Sequence, residues 1–156
     1  MHSRIFQLSK EKKFGEIELG SFIGDIADYI LPVSERDSDI NWLKEYLEKF
    51  NITVDTEEEK ITFNKGSKIK YFKERFSKFK KAAEEVTLED FAGISSLSFS
   101  KLYDVKEAIE DKYGFYIYKD GEIDGEGGHL QTLDHFIRHV EEGSTYYIGT
   151  IIDYHA

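Results

Sequence analysis

The sequence predicts a single α+β domain over residues 1–156, with a mostly antiparallel sheet of about four to six strands, about four or five helices, and the C-terminal strand central. Three observations carry this expectation. Apolar residues recur at helical spacing in some stretches and alternate with strand period in others. The two kinds of segment follow one another irregularly, with neither a steady βαβ pattern nor an internal repeat of roughly 20 to 50 residues. The chain also ends on YYIGTIIDY, a nearly continuous apolar run of the kind found in strands covered on both faces. One proline and the absence of Gly/Ser tracts argue against a flexible linker between domains.

Residues 3–8 (SRIFQL) read as a short strand, and 10–20 as a polar, Gly-punctuated connection containing a brief strand at 16–19. Phe22, Ile23, Ile26, Tyr29 and Ile30 then recur at helical spacing. Pro32 is expected to end that helix, because the residue before a proline is pushed out of the α region. A second helix carries Ile40, Leu43, Leu47 and Phe50, with Asp37, Ser38 and Asp39 at its N-terminus. Residues 52–55 and 60–63 alternate around an acidic turn at 56–59 and predict a hairpin. A long amphipathic helix follows, its apolar stripe formed by Ile69, Phe72, Phe76, Phe79, Ala83 and Val86.

Thr87 and Asp90 match a capping box that opens a single turn closed by Gly93. A helix over 98–112 is expected to turn Phe99, Leu102, Val105 and Ile109 inward and to end at Gly114. Residues 115–119, the Asp120-Gly121 pair and 122–124 resemble a strand entering a tight hairpin. Leu130, Leu133, Phe136, Ile137 and Val140 define the last helix, capped by Gly143, and 146–154 is the final strand. The N-terminal strand is expected beside it, since the termini of compact domains often lie close together.

At 40% hydrophobic and 15% aromatic, the chain has the apolar content to form a core despite being 33% charged. It contains no cysteine, so disulfides, thiolate metal sites and thiol nucleophiles are excluded. MHSRIFQLSKEKKF lacks the apolar stretch of a signal peptide, and no run approaches the ~20 apolar residues of a membrane span. A cytoplasmic location is expected, without membrane association.

Chemistry-bearing motifs are incomplete. Asp120, Glu122, Asp124 and Gly125 fit positions 1, 3, 5 and 6 of a calcium loop, but position 12 is Gln131 and position 8 is Gly127, so an acidic hairpin is the plainer reading. His135 and His139 stand at i,i+4, the spacing that puts two imidazoles on one helix face. Phe136 follows His135 where a metalloprotease would have Glu, and the pair lies opposite the apolar stripe. A third ligand would have to come from His129, Asp134 or His155. The 125–128 loop (GEGG) is flanked by acidic residues that repel phosphate. No metal, no cofactor and no catalytic residue are therefore assigned.

Charge layout says more. The chain carries 31 acidic and 21 basic residues, a net −10, which disfavours direct contact with nucleic acid. Residues 68–81 hold seven Lys or Arg against one Glu. The expectation is nevertheless a core helix with buried phenylalanines and solvated lysines. Glu16, Glu18, Asp25, Asp28, Glu35, Asp37 and Asp39 fall within 24 residues that contain Arg36 as the only basic residue. Asp25 and Asp28 are expected at i,i+3 on the polar face of the first helix.

By elimination these seven residues become candidate partner-binding residues. The implied function is a non-enzymatic acidic module that occludes the basic surface of a protein partner, as inhibitors, immunity proteins and DNA mimics do in general. Two alternatives stand beside it. One is a small hydrolase or transferase using carboxylates with His135 and His139; the other is a nucleic-acid-associated regulator using the basic helix 68–81.

Overall fold

The structure is a computed structural model, and it describes residues 2–155 apart from Ser21, Ile26, Ser34, Leu97, 112–114 and 122–128. Its elements in chain order are β1 (His2–Ser9), α1 (Phe22–Asp25), β2 (Tyr29–Pro32), α2 (Arg36–Glu48), β3 (Ile52–Asp55), β4 (Lys60–Phe63), α3 (Ser67–Glu85), α4 (Leu88–Phe91), α5 (Ser98–Ile109), β5 (Phe115–Lys119), β6 (His129–Thr132), α6 (Leu133–His139) and β7 (Thr145–His155). They fall into two compact units, Met1–Ser67 with Lys112–Ala156, and Lys68–Asp111. No helix among the described residues is long and apolar enough to cross a membrane.

The first unit is built on a seven-stranded sheet of order β3-β4-β7-β1-β5-β6, with β2 also on β7. Every pairing is antiparallel except β1 with β5. The fold is α+β, and β7 is interior as its apolar run predicts. β1 covers one side of β7 over most of its length; β4 takes residues 145–147 of the other side and β2 takes 152–155. Ile5, Phe6, Leu8, Ile148, Ile151 and Tyr154 are buried around this central pair. The expected hairpin forms from β3 and β4, its turn held by Asp55, whose carboxylate accepts from the amides of Glu57 and Glu58. Those two bonds keep the Asp55 carboxyl below its usual range.

Opposite the bulge in β7, a buried polar network replaces ladder bonds. The β1–β7 register shifts between Phe6 and Leu8, so Gln7 faces the Gly149-Thr150 pair. The Gln7 side chain accepts from Thr150 N–H at 3.0 Å and donates to Asp120 Oδ1 at 2.8 Å and to the Gly15 carbonyl at 2.9 Å. Gly15 N–H in turn donates to Asp120 Oδ2. Asp120, the first residue of the calcium template, is thus committed to tying the 10–20 segment onto the sheet. Glu122, Asp124 and the 125–128 loop lie outside the described residues.

The seven strands exceed the expected four to six, and the reason lies at residues 22–32. The predicted first helix is replaced by a four-residue α1 and the strand β2. Ile23 has ψ 119° and Gly24 has φ +100°, both outside the helical region, so the period of apolar residues is not followed by the backbone. Ile26 lies outside the described residues. The extended bias that Pro32 imposes on Leu31 favours a strand, and a proline is tolerated there because β2 is an edge strand pairing only with β7. Residues 16–19 make no ladder, although Ile17 and Leu19 pack on the core in alternation with exposed Glu16 and Glu18. Leu130 belongs to β6, and α6 starts only after Thr132, whose hydroxyl caps it by accepting from the His135 amide.

The second unit is helical. The Thr87–Asp90 capping box is complete, with Asp90 N–H donating to Thr87 Oγ1 and Thr87 N–H to Asp90 Oδ2. Asp90 is buried and also receives Lys101 Nζ at 2.9 Å. The Thr87 amide first and the Lys101 ammonium second hold its carboxyl far below the usual carboxylate range. Arg75 on α3 lies against the Phe72 ring and donates to the Glu110 carbonyl.

The apolar stripes of this unit are less buried than expected: Phe72, Phe79, Leu102 and Val105 are half-buried, and other residues of the stripes are open. Ile69 is 77% exposed, Phe76 59% and Phe99 83%. Helical periodicity dictates that one face is apolar, not that anything covers it. α5 ends at Ile109, also exposed, and the expected terminal Gly114 lies outside the described residues.

Candidate functional site

Strand alternation sets the character of the surface around β2. Ile30 turns inward onto the core cluster of Ile5, Phe22, Ile152 and Tyr154, which leaves Tyr29 and Leu31 outward and exposed. Ile23, in the kinked α1, is exposed as well. The helical period over 22–30 places Ile23 and Tyr29 on the buried face of a helix and does not include Leu31, so it does not foresee this exposed trio. A strand period over YILP, with its proline, is the sequence signal that points to Tyr29 and Leu31.

Two grooves meet at Leu31. One, of about 420 Å³, is lined by Gly15, Glu16, Ile17, Ile30, Leu31 and residues of β7 including Thr150. Its walls are largely aliphatic, and Glu16 is the one ionisable residue among the described residues that line it. The other, of about 250 Å³, contains Glu35, Asp39 and Asp153, but Arg4 lies among them. Arg4 Nε donates to Asp39 Oδ1 at 2.9 Å and its Nη1 to Asp153 Oδ1 at 2.6 Å, so this groove supplies its own cation. In the first, by contrast, Glu16 lies beside Ile17 and Leu31 with no basic residue among the described lining residues.

The seven predicted carboxylates therefore do not form one cluster. Glu16 and Glu18 stand out from the loop that packs Ile17 and Leu19, and the Glu18 amide is fixed by donating to the Tyr118 hydroxyl. Asp25 and Asp28 are exposed, though they do not share a helix face, since α1 ends at Asp25. Asp28 lies 3.5 Å from His155 Nδ1, and His155 stacks on Tyr29. Glu35 precedes α2 at the Arg4 groove, whereas Asp37 opens onto a separate groove with Ile40, Asn41 and Thr56. Asp39 departs from the expectation of a solvated residue. It is mostly buried and bound by Arg4, so reversing its charge would break an internal pair.

Arg36, the only basic residue of that acidic segment, is structural. Its guanidinium grips the Glu59 carboxylate with Nε and Nη2, the shorter bond being 2.7 Å, and donates to the carbonyls of Ile148 and Gly149. These carbonyls lie on the stretch of β7 between the residues paired with β4 and those paired with β2. The same contact holds the Glu59 carboxyl below its usual range.

The histidine alternative has limited geometry. His135 and His139 are exposed on α6 with ring centroids 4.4 Å apart, but Asp134 is buried and His155 is engaged by Tyr29 and Asp28. Among the described residues no three His, Asp or Glu side chains are placed to hold a metal ion. A further aromatic ladder runs along α2, where Trp42 stacks on Tyr46, Tyr46 meets Phe50 edge-on, and Lys49 lies over both of the latter rings. No family model, curated protein or solved structure matches this chain.

Proposed function

We propose that the protein is a non-enzymatic binding module whose surface around β2 docks on a basic protein partner and occludes it. The observation that carries the reading is the juxtaposition at β2. Exposed Ile23, Tyr29 and Leu31 are accompanied by exposed Glu16, Asp25, Asp28 and Glu35, while the one nearby arginine inside a groove is already neutralised by Asp39 and Asp153. Interfaces of this kind combine an apolar centre that is desolvated on contact with a charged rim that sets orientation and encounter rate. The net −10 attracts a basic partner over a distance of about one Debye length, ~8 Å at physiological ionic strength.

The test begins with a pull-down from the native host and mass spectrometry, run in parallel with the Asp25→Lys/Asp28→Lys/Leu31→Asp variant. The expected partner is basic, is recovered by the native chain and is lost with the variant. With the purified pair, raising salt should slow association far more than it speeds dissociation. Binding that is indifferent to salt and to these substitutions overturns the proposal. Asp39 is left unchanged because of its bond to Arg4.

A further inference from the structure

Apolar exposure is unevenly distributed over the chain. Of thirteen large apolar side chains exposed among the described residues, eight lie between Lys68 and Asp111, with Phe99, Leu88, Ile69, Ile94, Phe91 and Phe76 the most open. At roughly 150–250 Å² per large side chain, their exposed portions sum to on the order of 1,000 Å². A stable complex needs about 800 Å² from each partner, an area of the same order as this total.

The charges of the same unit are balanced but segregated. It contains nine basic and nine acidic residues, so the whole net −10 belongs to the rest of the chain. Residues 68–81 carry seven basic and one acidic residue, and 82–111 carry two basic and eight acidic. Internal pairing leaves much of this unused. Glu74 pairs with Lys78, Asp90 with Lys101 and Glu110 with Lys106, whereas Lys70, Lys73 and Lys81 on one side and Glu89, Asp104 and Glu107 on the other make no ion pair with a described residue.

We infer that this helical unit is the surface through which two copies of the chain pair, the basic 68–81 half of each lying against the acidic 82–111 half of the other. A two-fold axis makes each surface its own complement, which a unit that is neutral yet split into opposite halves satisfies. An anionic membrane or a nucleic acid would attract residues 68–81 but repel both the acidic half of the unit and the net −10 beyond it.

Sedimentation equilibrium of the full chain across nanomolar to high micromolar concentrations tests the inference. The expected result is a reversible shift from 18.2 kDa to twice that mass. Phe76→Glu with Phe99→Glu should weaken pairing at least tenfold while leaving the far-UV circular dichroism unchanged, because both side chains are exposed. Lys70→Glu/Lys73→Glu/Lys81→Glu and Glu89→Lys/Asp104→Lys/Glu107→Lys should each fail to self-pair, yet form a mixed dimer when combined. A chain that stays monomeric throughout overturns the inference. So does self-association that survives the phenylalanine substitutions, a mixture that restores nothing, or binding of the monomer to phosphatidylserine vesicles.

Discussion

The sheet unit and the helical unit spend similar side chains differently. In the sheet unit β1 and β7 bury nearly every apolar residue they carry, and even polar Gln7 and Asp120 are enclosed with their bonds satisfied. In the helical unit Phe76 and Phe99, with the same side chain as Phe6, stand in solvent. The difference teaches that an apolar residue measures stability only where something covers it. In the sheet unit that cover is internal; in the helical unit it is left to a second copy.

Truncation of a phenylalanine should separate the two regions most sharply. Phe6→Ala is expected to cost about 3–5 kcal/mol of unfolding free energy, because it empties a fully enclosed position. Phe99→Ala should cost less than ~0.5 kcal/mol in urea titrations run dilute enough for the monomer. Equal losses would break the comparison. Hydrogen exchange sharpens it, with the amides of β7 expected among the slowest in the molecule and the turn at 56–59 among the fastest.

A single methyl group gives the next largest effect. A Cβ added at Gly149 would lie 2.6 Å from Gln7 Oε1 and 2.6 Å from Phe14 Cδ1, so Gly149→Ala should destabilise by about 1–3 kcal/mol through overpacking. Phe14→Ala in the same background should recover part of that loss, as one of the two obstructing side chains is then gone without orphaning a buried polar group. A Gly149→Ala chain with native stability would mean that the bulge in β7 is loose.

Smaller, and confined to the helical unit, is the cap of α4. Thr87→Ala should cost about 1 kcal/mol. The carboxyl of Asp90 is depressed in the folded state, so its contribution is complete above its unfolded pKa of ~3.9 and is lost as the pH falls toward the folded value. Asp90→Asn should therefore flatten the stability profile below about pH 4 and leave its shape near neutrality unchanged. The smallest effect is expected at the exposed Lys12–Glu58 pair, where Lys12→Ala should leave the urea midpoint unchanged.

Local patterns with short reach were legible in the sequence. The β3–β4 hairpin, the heptad-like spacing of Ile40, Leu43 and Leu47, the Thr87–Asp90 box and the burial of β7 all follow from turn chemistry, capping or periodicity within a few residues. What failed needed information from elsewhere in the chain. Phe22, Tyr29 and Ile30 satisfy a helical period, but Gly24 and the pairing offered by residues 152–155 of β7 decide for a strand. Asp39 reads as a helix-start carboxylate until Arg4 is brought to it across 35 residues. Of the predicted acidic surface, the sequence locates the carboxylates but not the exposed Tyr29 and Leu31 between them.

Arg36 has a consequence for life at high concentration. A strand edge with bare carbonyls is a template on which another chain can add a strand, and such growth leads to fibrils. β7 is eleven residues long and would offer such a template where β4 stops and β2 has not begun. The guanidinium occupies that gap and takes the carbonyls of Ile148 and Gly149, while Glu59 holds it in place and its own carbonyl accepts the Ile148 amide. One side chain therefore closes a gap that would otherwise require another segment of strand. Arg36→Met, which keeps the bulk but removes the donors, would reopen the edge, and its first symptom would be thioflavin-positive aggregation on storage before any large fall in melting temperature.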